Sequence, residues 1–129
     1  MQALIAGAGP AGCHLAIRLA RSGWHVTLAD PLPDPRRNAY SSGALPLRDA
    51  NRLCIPEACR SAHWWGWQLL NPAGVEHQWW SDDALGVVLD FAAFRSWLWG
   101  EAVQAGVELL PGRSVRLLRL DADIAVVRI

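Results

Sequence analysis

The sequence predicts an α/β fold with a parallel sheet, and three consecutive patterns near its start lead to that prediction. Residues 3–6 are a short apolar run without alternation, which is typical of a strand in a buried parallel sheet. Residues 11–22 then repeat with a helical period, and residues 25–29 form a second strand-like run that ends at Asp30. Strand, glycine-rich turn, helix and strand in this order form a βαβ unit. The helix face that we expect to be buried consists of Ala11, Leu15, Ala16, Leu19 and Ala20.

Composition narrows the class of protein. The chain has 129 residues, 52% of them hydrophobic, so we expect one domain with a real core. Twelve arginines balance twelve acidic residues, which gives no reason to expect a nucleic-acid partner. No apolar run is long enough to span a membrane, and peripheral membrane contact stays open. Three cysteines without a CxxC pattern and four histidines without ligand spacing predict no disulfide framework, no metal site and a cytoplasmic location.

The middle of the chain is predicted to leave the parallel sheet. Residues 31–60 contain several prolines and predict an irregular excursion with one short helix near 46–53. Residues 63–70 and 75–80 are predicted strands of a β-hairpin, because the segment 71–74 between them has good turn chemistry.

The last third is predicted to return to the sheet. A short strand at 86–89 precedes a helix at 91–105, which Asp90 caps, and residues 107–110 form a third parallel strand. The expected buried stripe of this helix consists of Phe91, Phe94, Leu98, Ala102 and Ala105. A final hairpin pairs 114–120 with 124–129 around a turn at 121–123. Because the sequence stops inside that strand, we expect the domain to be truncated, with an open sheet edge that favours self-association.

The glycine-rich turn is the motif that carries chemistry. It reads GxGxxG and is formed by Gly7, Ala8, Gly9, Pro10, Ala11 and Gly12. Gly7 allows the tight turn, Gly9 lets a pyrophosphate approach the backbone, and Gly12 lets the helix pack close to the sheet. Free N–H groups at the helix start would bind the phosphates. We therefore expect these six residues to contact a dinucleotide; a glycine-rich turn without a ligand is the alternative.

An acid at the end of the second strand completes the motif. Asp30 lies eighteen residues after Gly12, where a carboxylate accepts hydrogen bonds from the adenosine ribose. Its charge would repel a 2′-phosphate, which favours FAD or NAD over NADP. The sequence names no catalytic residue, because no Ser/His/Asp array or carboxylate pair is evident.

The motif residues resemble a known family. Together with the glycines and Asp30, the residues Ala16, Leu19, Gly23 and Val26 resemble the N-terminal fingerprint of FAD-dependent oxidoreductases of the glutathione-reductase-like fold. Residues 89–115 are similar to the group of para-hydroxybenzoate hydroxylase, geranylgeranyl reductases, lycopene cyclases and flavin-dependent halogenases. Within it, residues 42–46 and 53–56 resemble the geranylgeranyl reductase pattern.

The resemblance implies a fold and a domain plan. The fold is a Rossmann-like FAD-binding βαβ unit with a parallel sheet, a β-hairpin from a substrate-domain sheet and a partial β-meander. Residues 1–129 form an incomplete FAD-binding domain, in which 1–40 and 86–129 are the dinucleotide-binding part and 61–81 is an inserted substrate-side hairpin.

The resemblance also implies site residues. It places Arg37 near the adenosine or pyrophosphate and the Val115 backbone against the adenine; a solvated arginine and a core valine are the alternatives. Phe91 stands where the family has an arginine that reaches the flavin, and Arg95 is the nearest candidate substitute.

The implied activity is that of an FAD-dependent oxidoreductase as part of a longer chain, and activity of the 129 residues alone is left open. The implied reaction is reduction or hydroxylation of a small apolar molecule, with FAD as cofactor and NAD(P)H as candidate electron donor. The resemblance also implies an aromatic wall for that substrate, formed by Trp64, Trp65, Trp67, Trp79 and Trp80. The alternative is that these tryptophans belong to the hydrophobic core or to an interface and do not contact a substrate. A non-catalytic or degenerate dinucleotide-binding module is the alternative function. An NAD-dependent Rossmann enzyme is disfavoured by the irregular excursion after Asp30.

Overall fold

A computed structural model describes residues 1–121 and 124–129. In chain order these residues form β1 (Gln2–Ala6), α1 (Pro10–Arg21), β2 (His25–Asp30), β3 (Ala44–Pro46), α2 (Leu47–Arg52), a short 3-10 helix (Glu57–Cys59), β4 (Arg60–Trp64), β5 (Gly66–Leu70), β6 (Glu76–Trp80), β7 (Gly86–Leu89), α3 (Phe91–Gln104), β8 (Glu108–Pro111), β9 (Arg116–Leu120) and β10 (Ala125–Arg128). The chain divides into two compact units. Met1–Ala39 and Arg95–Ile129 form the first, and Tyr40–Phe94 form the second.

The first unit is built on the predicted parallel sheet. Its strand order is β1-β2-β8, with both pairings parallel, which confirms the βαβ unit and the third strand. The central strand β2 is buried over its last three residues. The prediction that β1 is fully buried is wrong: its burial alternates and Leu4 is 37% exposed, because within the described residues β1 pairs with β2 alone.

Helix α1 buries a face that matches the predicted one only in part, with Ala16 as the shared buried residue. Cys13, Ala16 and Ile17 are buried, whereas Ala11 and Leu15 are exposed. The reason is the close approach of Gly12 to the turn after β1, which directs the residues next to it and one turn later towards the sheet. The predicted buried positions Leu19 and Ala20 are half-buried.

The second unit contains an antiparallel sheet of order β3-β7-β4 and a separate hairpin of β5 and β6. The predicted single strand 63–70 is wrong, because the chain leaves one sheet at Trp64 and enters the other at Gly66. Strand β7 pairs antiparallel with β3 and β4, so residues 86–94 lie in this unit rather than with the parallel sheet. The functional assignment of either unit stays a prediction.

The tryptophans of the second unit are mostly exposed. Trp65, Trp67, Trp79 and Trp80 have exposed fractions of 48%, 57%, 47% and 75%. The rings of Trp67 and Trp79 face each other across β5 and β6 with centroids 5.6 Å apart. Among the described residues these four side chains do not form part of a core, and their role at an interface or in a substrate wall stays a prediction.

Helix α3 begins as predicted. The Asp90 carboxylate accepts the Ala93 N–H at 3.0 Å, which is the expected N-cap bond. Phe94, Leu98 and Ala102 of the predicted stripe are buried. The predicted stripe did not include Arg95 and Trp99, which are each 6% exposed. After β8, the strands β9 and β10 form the predicted C-terminal hairpin; the predicted turn residues 122 and 123 lie outside the described residues.

Candidate dinucleotide-binding site

The turn between β1 and α1 depends on two glycines for its shape. Gly7 has φ +104°, a conformation that side chains disfavour, and its N–H donates to the Ala29 carbonyl at 2.7 Å. A Cβ on Gly12 would overlap the Gly7 carbonyl oxygen. Gly7 and Gly12 therefore bring the strand, the turn and the helix together, as the motif predicts.

Gly9 differs from Gly7 and Gly12, because neither a positive φ nor a close contact with a described residue requires a glycine there. It is the N-cap residue of α1, with extended backbone at φ −75°, and no described side chain caps the helix. A Cβ built on Gly9 would meet no atom within 4 Å among the described residues. Pro10 follows at the first helical position, where its missing N–H costs no hydrogen bond. The helix start thus has room and uncapped N–H groups for an anion, which fits a pyrophosphate.

Asp30 has a structural role that the sequence did not reveal. Its Oδ2 accepts the Ala8 N–H at 2.7 Å and its Oδ1 accepts the Leu32 N–H at 2.8 Å. Asp30 is 6% exposed; its bond to Ala8 is buried and its bond to Leu32 is partly buried. The carboxylate therefore ties the glycine turn to the end of β2. A carboxylate has about four acceptor positions, so these two bonds leave acceptor capacity for a ligand.

A cavity of about 310 Å³ opens at the carboxyl ends of β1 and β2. It is lined by Ala6, Gly7, Ala29, Pro31, Ser114 and Val115. The structure therefore brings Gly7 and Val115, two of the predicted site residues, to one cavity. Arg37 is not among the lining residues, and it is exposed.

Helix α3 contributes two residues to this region. The buried Arg95 donates from Nη1 to the Arg37 carbonyl at 2.7 Å, and its Nε has no described hydrogen-bond partner. Trp99 donates from Nε1 to the Ala8 carbonyl at 2.8 Å. Sequence reasoning did not find Trp99, although its position four residues after Arg95 places both residues on one helix face.

Cys13 lies beside the same carbonyl. Its thiol donates to the Ala8 oxygen at 3.3 Å. Burial raises the pKa of Cys13 to about 11, with the nearby Arg95 guanidinium opposing the rise and the Asp30 carboxylate adding to it. The thiol is therefore protonated at neutral pH and acts as a donor.

We expect Cys13 to resist alkylation in the folded chain. With a pKa of about 11, only about one thousandth of this thiol is ionised at pH 8, and the side chain is fully buried. Cys54 is exposed and serves as the internal control. Iodoacetamide followed by peptide mass spectrometry should label Cys54 first and Cys13 only after unfolding in guanidinium. Equal labelling of Cys13 and Cys54 in the folded chain would contradict the buried position of the Cys13 thiol.

The same thiol predicts a pH dependence of stability. It ionises near its ordinary pKa of 9.0 in the unfolded chain and near 11 in the folded chain. The folded state binds this proton more tightly than the unfolded state does. The protonated thiol therefore contributes fully to the free energy of unfolding below pH 9, and this contribution is lost as the pH rises towards 11. Urea unfolding of wild type and Cys13→Ser at pH 8 and pH 10.5 should show the larger fall for the wild type.

The second unit contains a larger apolar cavity of about 760 Å³. Two of its lining residues, Trp64 and Trp67, belong to the predicted aromatic wall. Phe91, in place of the family's arginine, packs against Phe94 with ring centroids 5.9 Å apart. Among the described residues there is no cluster of metal-ligating side chains, and no described helix is long and apolar enough to cross a membrane.

Solved structures share this architecture. A geranylgeranyl bacteriochlorophyll reductase-like protein from Thermoplasma acidophilum aligns with 97% of this chain and 34% of its own, with a TM-score of 0.79 and 19% identity. CabE, an aromatic hydroxylase from angucycline biosynthesis, aligns with 96% of this chain and 26% of its own, with a TM-score of 0.66 and 25% identity. The halogenase PltM, in complex with phloroglucinol and FAD, aligns with 97% of this chain and 30% of its own, with a TM-score of 0.65 and 19% identity.

The chain is also similar in sequence to curated monooxygenases. Kynurenine 3-monooxygenase from Xanthomonas campestris pv. campestris (strain B100) is 46% identical over 56 residues, which are 41% of this chain and 12% of the relative. The protein of that name from Stenotrophomonas maltophilia (strain K279a) is 43% identical over 74 residues, which are 57% of this chain and 14% of the relative. The chain is similar to the N-terminal part of FAD-dependent oxidoreductases.

The predicted resemblance and fold class are thereby confirmed. No protein-family model matches the chain. The chain spans about one eighth of the length of the curated relatives that it matches. The glycine turn lies between β1 and α1, where the motif predicts it, and its ligand stays a prediction.

Proposed function

We propose that this chain forms the FAD-binding part of a flavin-dependent monooxygenase and binds the ADP portion of FAD at the start of α1. The observation that carries this proposal is the open space next to Gly9 at a helix start with no described side-chain cap. A diphosphate is the ligand that such a turn favours, because it can accept several N–H groups at once and carries the charge that the helix dipole attracts.

The glycine motif would contribute backbone rather than side chains. Gly7, Ala8, Gly9, Pro10, Ala11 and Gly12 would surround the pyrophosphate, with Gly9 and the first turn of α1 donating N–H groups. Since a Cβ on Gly9 points into open space, even a methyl group there would occupy part of the volume that the ligand needs. Gly7 and Gly12 would act indirectly by shaping the turn.

Asp30 would select the nucleoside. We propose that the acceptor capacity left on its carboxylate receives the adenosine ribose hydroxyls, next to the cavity that the neighbouring residues Ala29 and Pro31 help to line. A negative charge held at this place disfavours the 2′-phosphate of NADP. Val115 would contact the adenine through its backbone, and the exposed Arg37 would reach the phosphates only from outside the cavity.

The reaction that we propose is hydroxylation of a small aromatic or apolar molecule, with NAD(P)H as the electron donor. This proposal is supported by the partial sequence identity to kynurenine 3-monooxygenases and by the apolar cavity that Trp64 and Trp67 help to line. FAD would supply the redox chemistry when bound, and the protein supplies binding and orientation. The compartment that we propose is the reducing cytoplasm, in keeping with three free cysteines. Self-association and peripheral membrane contact stay predictions.

The activity is tested on the flavoprotein of which this chain would form the FAD-binding part, by adding FAD and following NADH and NADPH consumption with and without L-kynurenine. We expect substrate-dependent consumption and a hydroxylated product detected by mass spectrometry. The matched control is Gly9→Ala, whose extra methyl enters the ligand's side of the turn while the fold has room for it. A chain that retains FAD and consumes neither donor with any aromatic tested would contradict the monooxygenase activity.

Phe91 favours a second candidate function, a non-catalytic dinucleotide-binding module. Its ring packs against Phe94, and a Cβ on Gly43 would lie 3.4 Å from it, so this position serves packing in the second unit. No cation is presented from it. FAD binding without NAD(P)H consumption is the result that this second candidate predicts.

A further inference from the structure

Two buried donors hold the Ala8 carbonyl. The indole Nε1–H of Trp99 donates to it at 2.8 Å across 91 residues of sequence, and the Cys13 thiol donates at 3.3 Å. Trp99 is 6% exposed and Cys13 is fully buried. The carbonyl therefore points towards the interior of the first unit and is fixed there.

Fixing this carbonyl also fixes the amide that follows it. The structure contains no cis peptide bond among its described residues, so the Ala8 C=O and the Gly9 N–H of one peptide plane point in opposite directions. With the carbonyl directed inward to Trp99 and Cys13, the Gly9 N–H is directed outward. Gly9 also has open space beside it, because a Cβ built on this residue would meet no described atom within 4 Å.

We propose that Trp99 is a positioning residue for the nucleotide: by holding the Ala8 carbonyl, it directs the Gly9 N–H at the diphosphate. The ligand class is a diphosphate-bearing adenine nucleotide, and the inference rests on the proposed function. It adds to the glycine motif a residue far along the chain that does not touch the ligand itself. Asp30 completes the arrangement by accepting the Ala8 N–H, so both the N–H and the carbonyl of Ala8 are held by hydrogen bonds.

The second donor supports the same arrangement. The pKa of Cys13 is raised to about 11 by burial, so the thiol keeps its proton at neutral pH and remains a donor to the carbonyl. Arg95, one turn before Trp99, donates to the Arg37 carbonyl at 2.7 Å. One face of α3 thus fixes both the glycine turn and the segment after β2.

The test uses Trp99→Phe, which keeps an aromatic ring and removes the N–H. ADP is the probe, with its Kd measured by calorimetry and folding checked by circular dichroism. We expect the Kd of Trp99→Phe to rise about five- to tenfold, as for loss of one buried hydrogen bond that orients a donor. Trp80→Phe is the matched control, since Trp80 is 75% exposed and lies in the other unit; its Kd should stay within about twofold.

A spectroscopic readout separates positioning from general destabilisation. In wild type, ADP should shift the Gly9 amide resonance strongly; in folded Trp99→Phe this shift should shrink. Cys13→Ser keeps a donor and should preserve the affinity within about twofold, whereas Cys13→Ala should weaken it, even where Trp99→Phe does not fold. Unchanged ADP affinity in folded Trp99→Phe would overturn the role of Trp99. Failure of the wild type to bind ADP would instead contradict the proposed function.

Discussion

Replacing Gly12 by alanine is expected to unfold the first unit or nearly so. The new Cβ would overlap the Gly7 carbonyl oxygen, which is rigid backbone and cannot move aside as a flexible side chain would. Helix α1 would have to move away from the turn, and its buried residues Cys13 and Ala16 would lose their packing. We expect a loss of about 3 kcal/mol or more in the free energy of unfolding, measured by urea denaturation.

Gly9→Ala is the matched control for this prediction. It adds the same methyl group three residues earlier, in open space and at a φ of −75° that alanine readily adopts. Its stability should stay within about 0.5 kcal/mol of wild type, while its affinity for FAD should fall about tenfold or more as the methyl meets the ligand. Equal stability of the two variants would show that Gly12 is not the point of close approach.

Replacing Asp30 by alanine should have the second large effect, and mainly on stability. The change removes two charge-assisted hydrogen bonds and leaves the N–H groups of Ala8 and Leu32 without their acceptor. Each such loss costs about 1.5–3 kcal/mol, so we expect about 3–6 kcal/mol in total. The glycine turn would lose its attachment to the end of β2, and FAD binding would fall with it.

Asn and a second aspartate provide the controls. Asp30→Asn keeps one oxygen acceptor and sets an NH₂ group against the other N–H, so its stability should lie between wild type and alanine. Asp34→Asn concerns an exposed carboxylate that accepts the Arg36 N–H at 2.9 Å, and it should cost less than about 1 kcal/mol. Asp30→Asn with wild-type stability would mean that the two bonds contribute little, and would leave ribose recognition as the only role of Asp30.

The part of the fold that could be predicted is the part with local signals. The apolar run before Gly7, the helical period after Gly9 and the cap at Asp90 each act within a few residues, and the structure contains the elements that they predict. The break between β4 and β5 has no such signal: Trp65 is neither a turn former nor a helix breaker. The sheet to which β7 belongs depends on partners more than twenty residues away, which local patterns do not encode.

The candidate site also has one part that the sequence predicts and another part that only the structure shows. The glycine motif identifies the turn, because tight backbone geometry demands particular residues at fixed spacing. The buried bonds of Asp30 and the bond from Trp99 to Ala8 depend on where β2 and α3 come to lie against that turn. A tryptophan in a mostly apolar helix predicts packing alone, so its hydrogen bond to the glycine turn required the structure.

The most direct test of the central claim is a titration of the folded chain with FAD, with NAD and NADP as comparison ligands. Tryptophan quenching and flavin fluorescence would report binding, and circular dichroism would confirm that the chain is folded. The geometry at Gly9 and Asp30 predicts saturable binding of FAD, weaker binding of NAD and the weakest binding of NADP. A folded chain that binds none of the three, or binds NADP as well as FAD, would contradict the claim that this turn is an FAD site.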